Sequence, residues 1–497
     1  MDASVTSSPA SALSPGEIRR ILFGIILAML LAAMDQTIVA TALPTIGNDL
    51  HDVEHLPWIV TAYLLSGTAV TPIYGKLSDI VGRRRMLLIG VAIFVAASVL
   101  SALAPSMWVL ILARFLQGLG GGGLIALAQT IIGDIVAPRE RMRYQAYFAS
   151  VFVTSSIAGP ILGGFFAEKL HWSFIFWINL PLGALALALS NNALKRLPRH
   201  ERPHKLDYLG GALMIVATVS LLLALSWGGA TYPWLSAEVM GLLALSVVAW
   251  IAFVWRLLTA AEPFVPLSVM FHPVVATATA SNFFAVGTSV GLTIYIPIYF
   301  EAVLGLTASQ SGLALIAFVG GTVAGAQIAA RIMAVSAHYK RGPVIGQIVA
   351  VLGMLVLAIV GPSLSLWPTE LLLAIIGLGL GTIYPVTTVS MQNAVEPHQL
   401  GTATASFNFF RSLGSAIFVA LFGAILISAL GVGGQAIGSL DQLVAKAAAN
   451  GTAIGPVFRY VFGAAVVTLT IGLAFVLAMK EVPLRSGRPS AAAAVVE

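Results

Sequence analysis

The chain is 497 residues long, 58% hydrophobic and 9% charged, and it has no cysteine. With a mean hydropathy of +0.95 it cannot present a soluble surface, and without cysteine it forms neither disulfides nor thiolate metal sites. The formal charge of +6 is carried by cations in short loops beside apolar runs, which points to anionic lipid headgroups as partners and away from nucleic acid.

In chain order, residues 1–20 read as a polar cytoplasmic arm containing Ser and Pro. A spanning helix needs about 20 mostly apolar residues, and such runs begin near residues 21, 57, 86, 107, 144, 172, 206, 234, 275, 309, 342, 368, 401 and 457, about fourteen spans in all. Ala40-Thr41-Ala42 resembles a signal-peptidase site, yet the run before it is too long and contains Asp35, so the first span is expected to stay. An even number of spans puts both termini on one side. Arg19 and Arg20 before the first span, with Lys480, Arg485 and Arg488 after the last, make that side cytoplasmic. Arg83 to Arg85, Arg139, Arg141 and Arg143, the cations from Lys195 to Lys205, Arg256, and Lys340 with Arg341 fall on the same side. Trp58, Trp108, Trp172, Trp234 and Trp367 open spans from the other side, as interfacial anchors do. Residues 431–456 form the longest outer loop, with the sequon Asn450-Gly451-Thr452, and 482–497 is a soft tail.

Ionisable side chains inside spans are costly and stand out. Asp35 lies roughly 12 Å below the outer end of the first span at 1.5 Å per residue, and Arg114 lies at comparable depth in the fourth. Asp35 is either a proton or cation site or half of a structural ion pair with Arg114. All eight histidines fall in loops or near helix ends, so Asp35 is the main proton candidate. Arg411, in the thirteenth span, has no evident acid partner; it either faces a cavity and attracts anionic groups or bonds carbonyls. The loop from Gly75 to Arg85 sets Asp79 among cations, either as a solvated acid or as a capping group, with Gly75 and Gly82 allowing tight helix ends. In the fifth span Ser155, Gly159 and Gly163 share a face at four-residue spacing and Pro160 loosens the helix, as a packing kink or as a useful bend.

Two strings are set aside. Gly118-x-Gly120-x-x-Gly123 fits a dinucleotide fingerprint but lies inside an apolar helix that follows no strand, which makes these packing glycines. His200-Glu201-Arg202-Pro203-His204 spells a zinc-protease string, but Pro203 disrupts the helix it needs and neighbouring cations repel zinc, so no metal is expected.

The loop Gly75 to Arg85, Arg114-Phe115-Leu116-Gln117-Gly118 in the fourth span, and Ser155 with Gly159-Pro160 and Gly163-Gly164 in the fifth resemble the three signature motifs of drug:proton antiporters in the major facilitator superfamily. The extra pair of spans, Ala33 to Val39 with Leu43-Pro44, and Trp172 through Asn179-Leu180-Pro181 resemble its fourteen-helix branch. The likeness runs from about residue 20 to 480. Ile80, where the family has a base, and Ser155, where it has glycine, depart from the pattern.

The resemblance implies an all-α membrane protein of the major facilitator fold: a six-helix bundle over 21–195, a linker with two peripheral inserted helices over 196–260, a second six-helix bundle over 261–480 and a cytoplasmic tail at 481–497. It implies a proton-coupled antiporter of a bacterial inner (plasma) membrane that exports amphipathic, aromatic or cationic compounds by alternating access. Asp35 and Arg114 would couple protons. Gly75, Asp79, Gly82, Arg83 and Arg84 would form the cytoplasmic gate, and Ser155, Gly159, Pro160, Gly163 and Gly164 the antiport hinge. Met34, Tyr63, Phe152, Trp177, Phe283, Tyr295, Met391 and Phe407, with Gln36, Gln117, Asn179, Asn408 and Arg411, would suit a permissive substrate cavity, the alternative for each being bundle packing or a lipid-facing position. The partners implied are a small-molecule substrate, protons and membrane lipids, with no cofactor beyond the proton gradient and no accessory export protein specified. Export of an endogenous metabolite, siderophore or lipid is the alternative. A membrane enzyme is disfavoured, since no nucleophile, base or metal constellation is evident. Arg331 to Arg341 sits where a bundle repeat would place a second basic loop, without the aspartate.

Overall fold

In lipid each backbone N–H and C=O must find its partner within its own segment, so apolar runs fold as helices. The computed structural model describes residues 15–52, 55–136, 138–196, 207–229, 231–260, 262–265, 267–336, 338–430 and 454–484. They form α1 (Pro15–Asp49), α2 (Leu56–Val81), α3 (Arg83–Ala102), α4 (Met107–Gly121), α5 (Leu124–Ile135), α6 (Pro138–Lys169), α7 (Phe174–Trp177), α8 (Asn179–Ala193) and α9 (Tyr208–Trp227). There follow α10 (Ala237–Thr259), α11 (Leu267–Met270), α12 (Pro273–Leu304), α13 (Ala308–Val335), α14 (Arg341–Val360), α15 (Leu366–Gly381), α16 (Ile383–Asn393), α17 (Leu400–Ala429) and α18 (Ile454–Ala478). Among the described residues there is no strand, only an isolated bridge between Gly228 and Tyr232. Among the described residues fourteen helical stretches are long and apolar enough to cross a membrane, and α4 with α5, α7 with α8, and α15 with α16 each make one of them. The 200–204 string, the 450–452 sequon, most of the outer loop and the ends at 1–14 and 485–497 lie outside the described residues.

Helix ends follow local chemistry. Gly82 turns α2 into α3 at φ 99°, and Gly305 closes α12 at φ 69°, backbone that favours glycine. Thr307 and Gln310 start α13 with reciprocal side-chain to backbone bonds, satisfying two donors that the first turn leaves open.

The first half packs α1 against α6 and α8, and α4 against α2 and α3, around Ile25, Met29, Phe94, Leu124 and Ile131. The second packs α12 against α17 and α18, and α15 against α13 and α14, around Leu292, Phe318, Met354, Ile376 and Phe422. One device recurs in both. A Cβ on Gly118, Gly120 or Gly122 would overlap the carbonyl oxygens of Tyr63, Gly90 and Gly67; on Gly377, Gly379 or Gly381 it would overlap those of Phe318, Gly346 and Thr322. Alternate glycines thus let α4 lie directly on α2 and α3, and α15 on α13 and α14, as small residues do between helices that gain little from apolar burial in lipid. Gly123 meets the Tyr74 ring in the same way, so the glycine string of the fourth span is a packing feature.

The inserted pair, α9 and α10, is pinned at one end by Asp207, which accepts from Gly210 N and from Arg256 Nε at 3.0 Å each. α10 is the outer helix, with Val247, Val248, Ile251 and Trp255 exposed. α9 is not peripheral, in contrast to the expectation for the pair: it lies against α2 and α17, where Leu222 packs with Leu65, Phe409 and Leu413. Its apolar face fits the seam between the two halves.

Candidate functional site

Asp35 on α1 is fully buried. A buried charge without a partner costs several kcal/mol, and polar side chains from three other helices offset that cost. Arg114 Nη1 on α4 lies 2.5 Å from Asp35 Oδ2. Gln117 Nε2 donates to Asp35 Oδ1 at 2.9 Å and Asn179 Nδ2, on α8, donates to it at 3.4 Å. Ser98 Oγ on α3 accepts from both amides, at 2.8 and 3.2 Å. Arg114 also donates to Gln117 Oε1 at 2.6 Å and to Ile59 O at 3.2 Å, and it lies 4.4 Å from the centre of the Tyr63 ring. The charges cancel in a cluster that ties α1, α3, α4 and α8 together.

Between the halves is a cavity of about 890 Å³, large enough for a drug-sized molecule. Tyr63, Phe152, Tyr295, Val290, Ile294 and Trp234 supply apolar wall, and Gln36, Thr68, Asn408 and Ser412 supply scattered polar groups. Leu222, Leu225 and Ser226 bring α9 into that wall. Tyr63 belongs to both sites: it lines the cavity and carries Arg114 on its ring, so one side chain stands between cavity and ion pair. Arg411 also lines the cavity, its guanidinium 5.4 Å from the centre of the Tyr384 ring.

Toward the Gly75–Arg85 loop the halves are bonded together. Asp79 accepts from Gly401 N at 3.1 Å, Thr402 N at 2.8 Å and Thr402 Oγ1 at 2.6 Å. Those residues form the first turn of α17, so a carboxylate of one half caps a helix of the other, at its positive end. Arg83 pairs with Asp79 and, at 2.9 Å, with Asp134, and Arg84 Nη2 donates to Asn191 Oδ1 at 2.5 Å. Gly75 lets α2 touch α17, since a Cβ there would collide with Ala405. One layer further in, Gln129 on α5 donates to the Tyr384 hydroxyl, while Asn408 Nδ2 donates to Gln129 Oε1 at 2.7 Å and Gln392 Nε2 to Gln129 O at 3.3 Å. The cavity is closed at this end and extends toward the turn between α9 and α10, where Gly228, Gly229 and Trp234 line it.

The remaining sequence candidates divide. Ser155, Gly159 and Gly163 face α1: Thr37 Oγ1 donates to Ser155 O at 2.8 Å, and a Cβ on either glycine would strike Thr37 or Thr41. Gly164 has open space, α6 runs unbroken through position 160, and the Pro160 side chain lies outside the described residues. Gln36, Tyr63, Phe152, Tyr295, Asn408 and Arg411 line the cavity. Gln117 and Asn179 belong instead to the Asp35 cluster. Met34, Met391 and Phe407 are buried in packing, Phe283 packs on Phe284 and Phe418, and Trp177 is half-buried away from the cavity. Sequence reasoning missed Ser98, Gln129, Asp134, Tyr384 and Thr402. Gln129 and Asp134 carried a usable signal, a polar group within or at the end of an apolar helix; a lone Ser or Thr in a span carries none, because it can bond its own helix.

Two groups of membrane-spanning helices around a central cavity define a transporter of small molecules. The Major Facilitator Superfamily profile matches residues 25–419, and the chain belongs to that superfamily. It is 34% identical over 433 residues to the multidrug transporter protein MdtP of Bacillus subtilis (strain 168), over 86% of this chain and 79% of that one. It is 36% identical over 406 residues to multidrug resistance protein 3 of the same organism, over 82% and 79% of the two chains. The crystal structure of a bacterial homologue of the iron transporter ferroportin in an outward-facing state superimposes with a TM-score of 0.65 at 10% identity, over 93% of this chain and 99% of that one, a likeness of fold.

Proposed function

We propose that this transporter is a proton-coupled antiporter that exports amphipathic small molecules by alternating access, in a bacterial inner membrane with both termini cytoplasmic. The observation that carries the reading is the buried Asp35–Arg114 pair, separated by Tyr63 from a cavity closed at the basic-loop end. A proton on Asp35 removes the charge that Arg114 balances, and a buried cation left uncompensated costs about 3–5 kcal/mol. That is enough to bias a two-state equilibrium by orders of magnitude. Substrate against Tyr63, on α2, and a proton on Asp35, on α1, then act on the same arginine, so each changes the other's affinity. Asp79, capping α17 across the two halves, is the latch of the cytoplasmically closed state. The proton gradient is the energy source, and the multidrug transport and multidrug resistance named for the two Bacillus relatives support a drug-like cargo. The test is substrate accumulation in proteoliposomes under an imposed pH gradient. Asp35→Asn should lower the gradient-driven rate at least tenfold while substrate still binds; a parental rate in that variant would place the proton site elsewhere.

A further inference from the structure

We propose, resting on the export reading, that the cavity selects amphiphilic organic anions over cations, with Arg411 as the residue that bonds the substrate's acidic group. Among the described residues that line the cavity, Arg411 is the only side chain charged at neutral pH; no Asp, Glu, Lys or His joins it. Its charge is not spent on a carboxylate, because no ion pair among the described residues includes it. Its neighbour is the Tyr384 ring, 5.4 Å from the guanidinium to the ring centre. A ring face satisfies the charge in part and takes none of the in-plane N–H donors, and guanidinium offers five of these with no acceptor. Their fork geometry suits a carboxylate, sulfonate or phosphate, which it can hold with two parallel bonds.

The surroundings point the same way. Asn408, Arg411, Ser412 and Ser415 recur at helical spacing on α17 and all line the cavity, so Arg411 sits within a polar stripe. Elsewhere the wall is largely apolar and aromatic, with Phe152, Ile294 and Tyr295 available to a hydrophobic body. Asp35 cannot supply the opposite preference. It is fully buried, neutralised by Arg114 at 2.5 Å, and screened from the cavity by Tyr63. A cationic drug entering this space meets one fixed charge, of its own sign. Of the amphipathic, aromatic or cationic cargo that the resemblance implies, this proposal keeps the amphipathic aromatic body and gives it an acidic group.

Tetraphenylborate and tetraphenylphosphonium share shape and differ in charge, and neither carries an oxygen for the guanidinium to bond, so they probe the charge preference by itself. Binding to the full chain in nanodiscs, with empty nanodiscs subtracted, should be at least about tenfold tighter for the borate, or about 1.4 kcal/mol. Arg411→Gln should bring the two affinities within about threefold of each other, and Arg411→Lys should keep the preference for the anion. Equal affinities in the parent, or tighter phosphonium binding, overturn the inference while leaving export intact. A borate preference that survives Arg411→Gln overturns the role of Arg411. Should Arg411→Gln fail to fold, Arg411→Met, which keeps an apolar stem without the charge, takes its place and should bring the two affinities equally close. Absence of pH-gradient-driven accumulation for the borate, the phosphonium and a neutral amphiphile alike would instead sink the export reading, and this inference with it.

Discussion

Arg114 and Asp35 are each costly in lipid and tolerable only together. Breaking a buried pair on one side costs about 3–5 kcal/mol, whereas removing both charges is often close to neutral. Arg114→Leu is therefore expected to lower thermal stability sharply, and the double variant Asp35→Asn/Arg114→Leu to recover most of the loss in a melting experiment on the purified chain. The glycine pattern gives an internal precedent. Where Arg114 precedes Gly118 by four residues, Leu373 precedes Gly377 by four and is fully buried, so a helix at this place in the fold packs with leucine. Stability of Arg114→Leu equal to that of the parent would show that the pair contributes nothing to holding the cluster.

At the level of helices, close approach through glycine sets how α4 and α15 sit on their neighbours. Gly122→Ala drives a Cβ against the Gly67 backbone, which cannot swing away as a side chain would. A loss of about 1–3 kcal/mol is expected, the usual range for overpacking. Gly164→Ala, in open space on α6, should stay within about 0.5 kcal/mol of the parent. A melting comparison of the two variants checks the contrast, and equal midpoints would contradict the packing argument. The second basic segment is held by different chemistry from the first. Lys340 N donates to Glu481 Oε1 at 2.9 Å and Lys340 Nζ to Leu477 O at 2.6 Å, so the acid that Arg331 to Arg341 lacks is supplied by the chain just after α18.

For the whole molecule, the two predictions concern orientation and switching. Reporters fused after Lys195 and after Glu481 should read cytoplasmic, and one fused after Leu235, in the turn between α9 and α10, should read external, because basic loops orient the helices. A cytoplasmic signal after Leu235 would contradict the fourteen-span topology. Asp79→Asn should leave the protein in the membrane and lower the export rate, since the lost charge weakens the cap on α17 and shifts the balance between states. Unchanged transport at normal abundance would leave the Asp79 cap on α17 a structural contact and not a latch.

Much of this was readable from the chain alone. Hydropathy over about 20 residues is a local property, so the fourteen spans and their ends could be placed without a fold. Depth is local too: at 1.5 Å per residue, Asp35 and Arg114 fall at one level, and the structure puts them 2.5 Å apart. What depended on tertiary structure was every choice of partner across long sequence separations. Asp79 finds Thr402 and Gln129 finds Tyr384 and Asn408 only because α2 and α5 meet α16 and α17, a pairing that no periodicity records. The same limit explains why Met391 and Phe407 were read as cavity residues and prove to be packing, and why α9 reaches the cavity wall. An apolar helix in lipid has no water-facing side to mark it, so which of its faces meets the centre is decided by its neighbours.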